Sequence, residues 1–122
     1  MKFIISGSIR SKKNHRQIFG AGKFKVNLPP KAYLKWEKNA HKELNIQDRG
    51  ELVLFNCAVR IKATFFYKGA RPDLSAGFEA LADCIQGYLI NNDRQIESWD
   101  GSRMIHDKDN PRTEFEIEVF EG

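Results

Sequence analysis

Three carboxylates, Asp73, Asp83 and Asp93, punctuate one stretch of this chain. Asp73 stands where an extended segment gives way to a helix, Asp83 lies on that helix, and Asp93 falls just past its far end. In a basic protein, acids dispersed in this way suit a hard divalent cation working on phosphate. Mg²⁺ is typically held by one or two carboxylates, several waters and the substrate's own oxygens. Ser75 offers a further, neutral oxygen. Glu79 precedes Asp83 by one helical turn, and two acids at that spacing repel unless a cation sits nearby. Each acid also has an ordinary use. Asp73 suits a helix N-cap, Asp83 a solvated helix face and Asp93 a turn.

These residues depend on the elements around them. The periodicity predicts a helix from Leu74 to about Leu89, with Leu74, Phe78, Leu81, Ile85, Tyr88 and Leu89 in one stripe and Glu79, Asp83 and Gln86 opposite. Pro72 fixes where that helix can begin. A helix of this length is roughly 24 Å long, so its two ends cannot share a metal directly. A common site needs the chain after Asn92 to fold back along the helix, or the strand carrying Gln95 to return beside the strand ending at Tyr67.

That strand, Cys57 to Tyr67, is the clearest β signal. Val59, Ile61, Ala63, Phe65 and Tyr67 point one way and Arg60, Lys62, Thr64 and Phe66 the other, as in a sheet covered on one side. Further strands are predicted at Lys2–Ser8, Gln95–Trp99 and Thr113–Phe120. A glycine-containing hairpin is predicted over Gln17–Val26, a basic loop over Arg10–Arg16 and turns at Asp100-Gly101 and Asp107–Pro111. Glu51–Phe55 is apolar and undecided. After Pro29-Pro30, Lys31 to Leu44 reads as a helix that buries Tyr33, Trp36, Ala40 and Leu44. The sum is an α+β fold, a mixed and mostly antiparallel sheet with two helices.

A chain of 122 residues, 41% apolar and 30% charged, supports one domain, 1–122, with an ordinary core. It has no run of the roughly 20 apolar residues a membrane span requires and no secretory leader, so the expected compartment is the cytoplasm. Cys57 and Cys84 read as small apolar residues without a disulfide. With the three histidines they show no zinc spacing. The net charge of +4 is unevenly spread: residues 1–44 carry eleven lysines and arginines against two glutamates, and the rest nine against fourteen acids. A basic first third suits a phosphate-bearing partner. Trp36, Phe66 and Trp99 read as core or dimer-contact residues.

The segment Pro72-Asp73-Leu74, Ala80-Leu81, Asp83 and Asn92-Asp93-Arg94-Gln95-Ile96 resembles, without a gap, the RusA family of Holliday junction resolvases. Weaker similarity extends to Lys12-Lys13-Asn14, to Tyr33–Trp36 and to Asp100-Gly101-Ser102-Arg103. The chain departs from the family pattern at Ser75, Ala76, Glu79 and Asn92, where a second Asp, an Asn, a Lys and another Asp are usual. The resemblance implies a Mg²⁺-dependent endonuclease (Mn²⁺ substituting) that cuts four-way DNA junctions as a homodimer. Asp73, Asp93 and Asp83 would be its catalytic acids and Asp73, Asp93 and Ser75 its metal ligands. Lys12, Lys13, Asn14, Lys68, Arg71, Arg94 and Arg103 would lie against DNA. The departures favour an alternative, a junction-binding protein without cleavage. A basic RNA-binding domain fits less well, since the aromatic pair and glycine signatures of common RNA modules do not occur.

Overall fold

The computed structural model describes residues 1–11, 17–19, 26–28, 30–47 and 54–121. The elements run β1 (Lys2–Ser6), β2 (Gln17–Phe19), β3 (Val26–Leu28), α1 (Lys31–Gln47), β4 (Val59–Tyr67), α2 (Leu74–Ile85), a 3₁₀ turn (Asp93–Gln95), β5 (Ile96–Ser98), β6 (Arg103–His106) and β7 (Arg112–Val119). β2 and β3 form an antiparallel pair, as the hairpin signal implied. The remaining strands make one mixed, five-stranded sheet. With α1 and α2 this is the α+β architecture expected from the sequence. No helix among the described residues is long and apolar enough to cross a membrane.

β4 is the axis of the sheet. Along one side it pairs antiparallel with β7, which pairs antiparallel with β1. Along the other it takes β5 at its start and β6 at its end, both parallel. The two short strands are therefore successive pieces of one margin. Between them the ladder is carried by a side chain, because Ser102 Oγ accepts the Ala63 N–H at 2.9 Å. β6 replaces what the sequence read as unassigned chain between two turns. It is too short and too mixed in exposure to show a clear alternation.

Strand alternation sorts the two faces. Phe3, Ile5, Val59, Ile61, Ala63, Phe65, Phe115 and Ile117 are buried and share one core with both helices. The opposite face is charged, with Arg60 facing Glu118 and Lys62 facing Glu116 across the β4–β7 ladder, and Lys2 facing Glu116 from β1. Directly opposed unlike charges support a sheet, which gives the glutamates of β7 a structural use. Val119, at the end of β7, is 46% exposed. Helix α1 buries Tyr33, Trp36, Ala40 and Leu44, the four residues its periodicity selected. Its far end reaches the outer edge of β1: Gln47 Oε1 accepts the Ile4 N–H at 2.7 Å, Gln47 Nε2 donates to Ile4 O at 2.6 Å, and Glu43 Oε2 accepts the Ser6 N–H at 2.6 Å.

Helix α2 is shorter than its apolar stripe implied. It ends at Ile85, because Gln86 is extended and Gly87 takes φ +86°, a left-handed conformation open to glycine. Leu89 and Ile90 remain buried, so the hydrophobic pattern outlasts the helix. Its buried face is Gly77, Ala80, Leu81, Ala82, Cys84 and Ile85, while Leu74, Phe78 and Tyr88 only border the core. Small residues let α2 approach the sheet closely. The two helices meet through His41, which stacks on Tyr88 with centroids 4.0 Å apart and whose Nε2 lies 2.9 Å from Cys84 O.

The cysteines diverge. Cys84 is fully buried, and burial pushes its thiol pKa well up, so it is an inert apolar residue as expected. Cys57 precedes β4 rather than belonging to it, which corrects its placement in the strand, and it is exposed and free. The close approach at Gly77 yields a stability test. A Cβ there would sit 3.1 Å from both Met104 Cε and the Phe65 ring. Gly77→Leu should lower stability by about 1–3 kcal/mol through overpacking, read as a fall in the urea midpoint with the slope unchanged.

Candidate functional site

The chain beyond α2 folds back beside the helix, and the backbone shows how. After the turn at Gly87 the chain doubles back along α2. Gly87 N–H bonds Ile90 O at 2.7 Å, and Phe55 N–H bonds Leu89 O at 2.8 Å, which ties the return to the segment entering β4. Gln95 then fixes the turn. Its Oε1 accepts the N–H groups of Asn91 and Asn92 at 2.8 and 3.0 Å, and its Nε2 donates to Phe55 O and Cys57 O at 2.7 and 2.9 Å. Asn92 caps the 3₁₀ turn through Oδ1, which accepts the Arg94 N–H at 2.9 Å, and with Gln95 completes a capping box. Gln86 Oε1 accepts the Asp93 N–H at 3.2 Å, so Asp93 is held beside the last turn of α2.

Asp73 is set by the other end of the helix. It occupies the N-cap position with φ −69° and ψ 143°, yet its side chain makes no capping hydrogen bond. The ordinary reading of this acid as a side-chain cap is thus not its use. The carboxylate borders a hollow of about 410 Å³ between the chain leaving β1 and the start of α2. Asp73, Ser75 and Glu79 line its α2 wall, and Arg10, Lys68 and Arg71 are among the residues facing them. A second hollow of about 320 Å³ continues along α2 and is lined by Asp93, Ala82, Ile96 and the stacked pair Phe78 and Trp99. Ser75 and Glu79 belong to both hollows. Asp73 and Asp93 therefore lie at opposite ends of one surface, with Ser75 and Glu79 between them.

Among the described residues, neither Asp73, Asp93, Arg10, Lys68 nor Arg71 takes part in an ion pair. Cations and acids thus share the rim of this hollow. Such a surface can take up a phosphate on the cationic wall and a hard cation on the acidic one. No three acidic, histidine or cysteine side chains among the described residues come together as a ready-made metal cage.

The other candidates separate. Lys68 and Arg71 line the first hollow beside Asp73. Asp83 lines neither hollow. Its charge adds a small upward push to the pKa values of Tyr33 and Cys84. Arg94 and Arg103 are exposed and also line neither hollow. Lys12, Lys13 and Asn14 lie outside the described residues. The sequence missed Glu79 and Arg10 as members of the site. Glu79 was legible as an acid one turn from Ser75, and Arg10 as the first residue of the basic loop.

A scan of protein-family models finds none that matches this chain, and a search of curated proteins finds no match either.

Gln95 is the part of this site most open to test. Gln95→Ala removes both halves of the amide, and should cost about 1–3 kcal/mol of stability, since each bond to backbone contributes on the order of 1 kcal/mol. Gln95→Glu keeps the two acceptor bonds but cannot donate to Phe55 O and Cys57 O, so it should also be destabilised. Thermal unfolding of the two variants checks both outcomes.

Proposed function

We propose that this chain is a Mg²⁺-dependent, structure-specific endonuclease of the RusA type, acting on four-way DNA junctions as a cytoplasmic homodimer. The observation that supports the reading is that Asp73 and Asp93 border adjoining hollows that share Ser75 and Glu79, with Arg10, Lys68 and Arg71 lining the Asp73 hollow. The resemblance over residues 71–96 supplies the reaction class, and the two-fold junction suits a two-fold enzyme.

The donor chemistry fits a hard cation. The Asp73 carboxylate is not consumed by capping, and Mg²⁺ is commonly held by one or two carboxylates with the remaining positions left to waters and substrate phosphate. Asp73 and Asp93 would hold it, with Ser75 or Glu79 contributing oxygen between them. A bound Mg²⁺ supplies Lewis-acid stabilisation of the charge that develops on the phosphoryl group. The chain's own residues do the rest. Lys68 and Arg71 neutralise the strand and orient its phosphate, and Gln95 and Asn92 keep Asp93 in register. Water adds to phosphorus in line with the 3′ oxygen, the P–O3′ bond breaks, and that oxygen leaves as the 3′ hydroxyl.

A second reading, junction binding without cleavage, is favoured by Ser75 standing where the family pattern usually has an acid and by the want of a three-acid cage among the described residues. The two are separated by incubating an end-labelled synthetic four-way junction with the protein and Mg²⁺, Mn²⁺ or EDTA. Metal-dependent paired nicks support the endonuclease. Asp73→Asn should then reduce cleavage by at least about 100-fold while junction affinity in EDTA is unchanged. Ser75→Asp should raise the cleavage rate by restoring a carboxylate to the acidic wall. Tight junction binding with no nicking under either ion, in both the parent chain and Ser75→Asp, would establish the second reading instead.

A further inference from the structure

A third hollow, of about 310 Å³, opens between the chain leaving β1 and helix α1, and Arg10, Lys35, Trp36 and Asn39 are among its lining residues. It shares Ser8 and Arg10 with the Asp73 hollow. The three hollows therefore run edge to edge along one side of the molecule. They differ in charge: Arg10 and Lys35 line the third with no acid among its described lining residues, Asp73 and Glu79 line the first beside Arg10, Lys68 and Arg71, and Glu79 and Asp93 line the second.

The cationic end is rich in uncommitted donors. Among the described residues Arg10 and Lys35 form no ion pair. Ser8 Oγ accepts the Lys68 N–H at 3.3 Å, which leaves its hydroxyl hydrogen to donate. Trp36 is only 6% exposed, and its Nε1 has no hydrogen-bond partner among the described residues. A buried indole N–H without an acceptor is costly and uncommon in folded proteins. Glu43, one helical turn beyond Asn39, is engaged, since it accepts the Ser6 N–H at 2.6 Å and an Asn39 amide N–H at 3.3 Å. Excess donors without acceptors define an anion site.

We propose that this hollow is a second phosphate subsite, in which Arg10 and Lys35 hold the backbone of a nucleic-acid strand at a distance from the acids. Arg10 forms the bridge, because it belongs to both hollows. The occupant is a strand rather than a free nucleotide, since the site is one of three confluent hollows and not an enclosed pocket that would bury a small ligand. The proposal rests on the preceding section only for the identity of the polyanion. It concerns binding without metal, so it stands or falls separately from cleavage.

The test is fluorescence-anisotropy binding of a labelled four-way junction in EDTA across a salt titration. Arg10→Ala/Lys35→Ala should weaken binding at least about tenfold and flatten the dependence of log K on log salt by about one to two units, one for each lost phosphate contact. Lys35→Glu should weaken it further. The control Lys2→Ala/Lys62→Ala removes equal charge from the opposite face of the sheet and should leave the salt slope unchanged. Equal slopes for the two double variants would overturn the proposal. So would displacement of the junction by millimolar inorganic phosphate at constant ionic strength, which would mark a small-anion site instead.

Discussion

The arrangement of the site depends on one side-chain amide. Gln95 sits between the turn at Asn91-Asn92 and the segment entering β4, and it serves both with two accepted and two donated hydrogen bonds. An amide is the one short side chain that can accept and donate in this way at once. A carboxylate lacks the donors and an ammonium the acceptor. Beside this link, the Gln86 contact and the pairing of Ile96 with Val59 help hold Asp93 beside α2.

Much of this was legible in the residues. The strand Val59–Tyr67 and the buried face of α1 follow from their periods of two and 3.6, because in each case burial is decided by a whole strand or helix facing one core. The end of α2 was not legible from periodicity. Leu89 and Ile90 are as buried as the helix itself, so a hydrophobic stripe continues through a backbone that has ceased to be helical. Gly87 was the available signal, and an isolated glycine in a helical pattern is ambiguous between tolerated and terminating. The shorter helix, about 18 Å for its twelve residues, is what makes the return to Asp93 feasible. β6 escaped notice for a different reason. A four-residue strand at a margin has no period long enough to count.

The candidate acids divide along the same line. Asp73 and Asp93 could be paired from the sequence only by demanding that the chain fold back, and it does so. Asp83 could be placed on the polar side of the helix, but that side is broad, and Asp83 lines neither of the hollows bordered by Asp73 and Asp93. Asn92, a departure from the family pattern, accepts a backbone N–H as a cap. The same bond is open to an aspartate, so the substitution keeps the turn while removing a charge. Ser75 is the sharper departure, because it lies in the surface between the acids and brings a hydroxyl there in place of a carboxylate.

The contacts from the end of α1 to β1 have a consequence for how this molecule meets others. An exposed strand margin is normally a template onto which another strand can add. Here the Ile4 N–H and C=O are already matched by the Gln47 amide and the Ser6 N–H by Glu43, so two helix side chains imitate the missing neighbour. This flank is sealed against edge-to-edge growth. A second copy joining through its sheet is left with the opposite flank, where the short segments at Ile96–Ser98 and Arg103–His106 pair with β4 on one side only among the described residues.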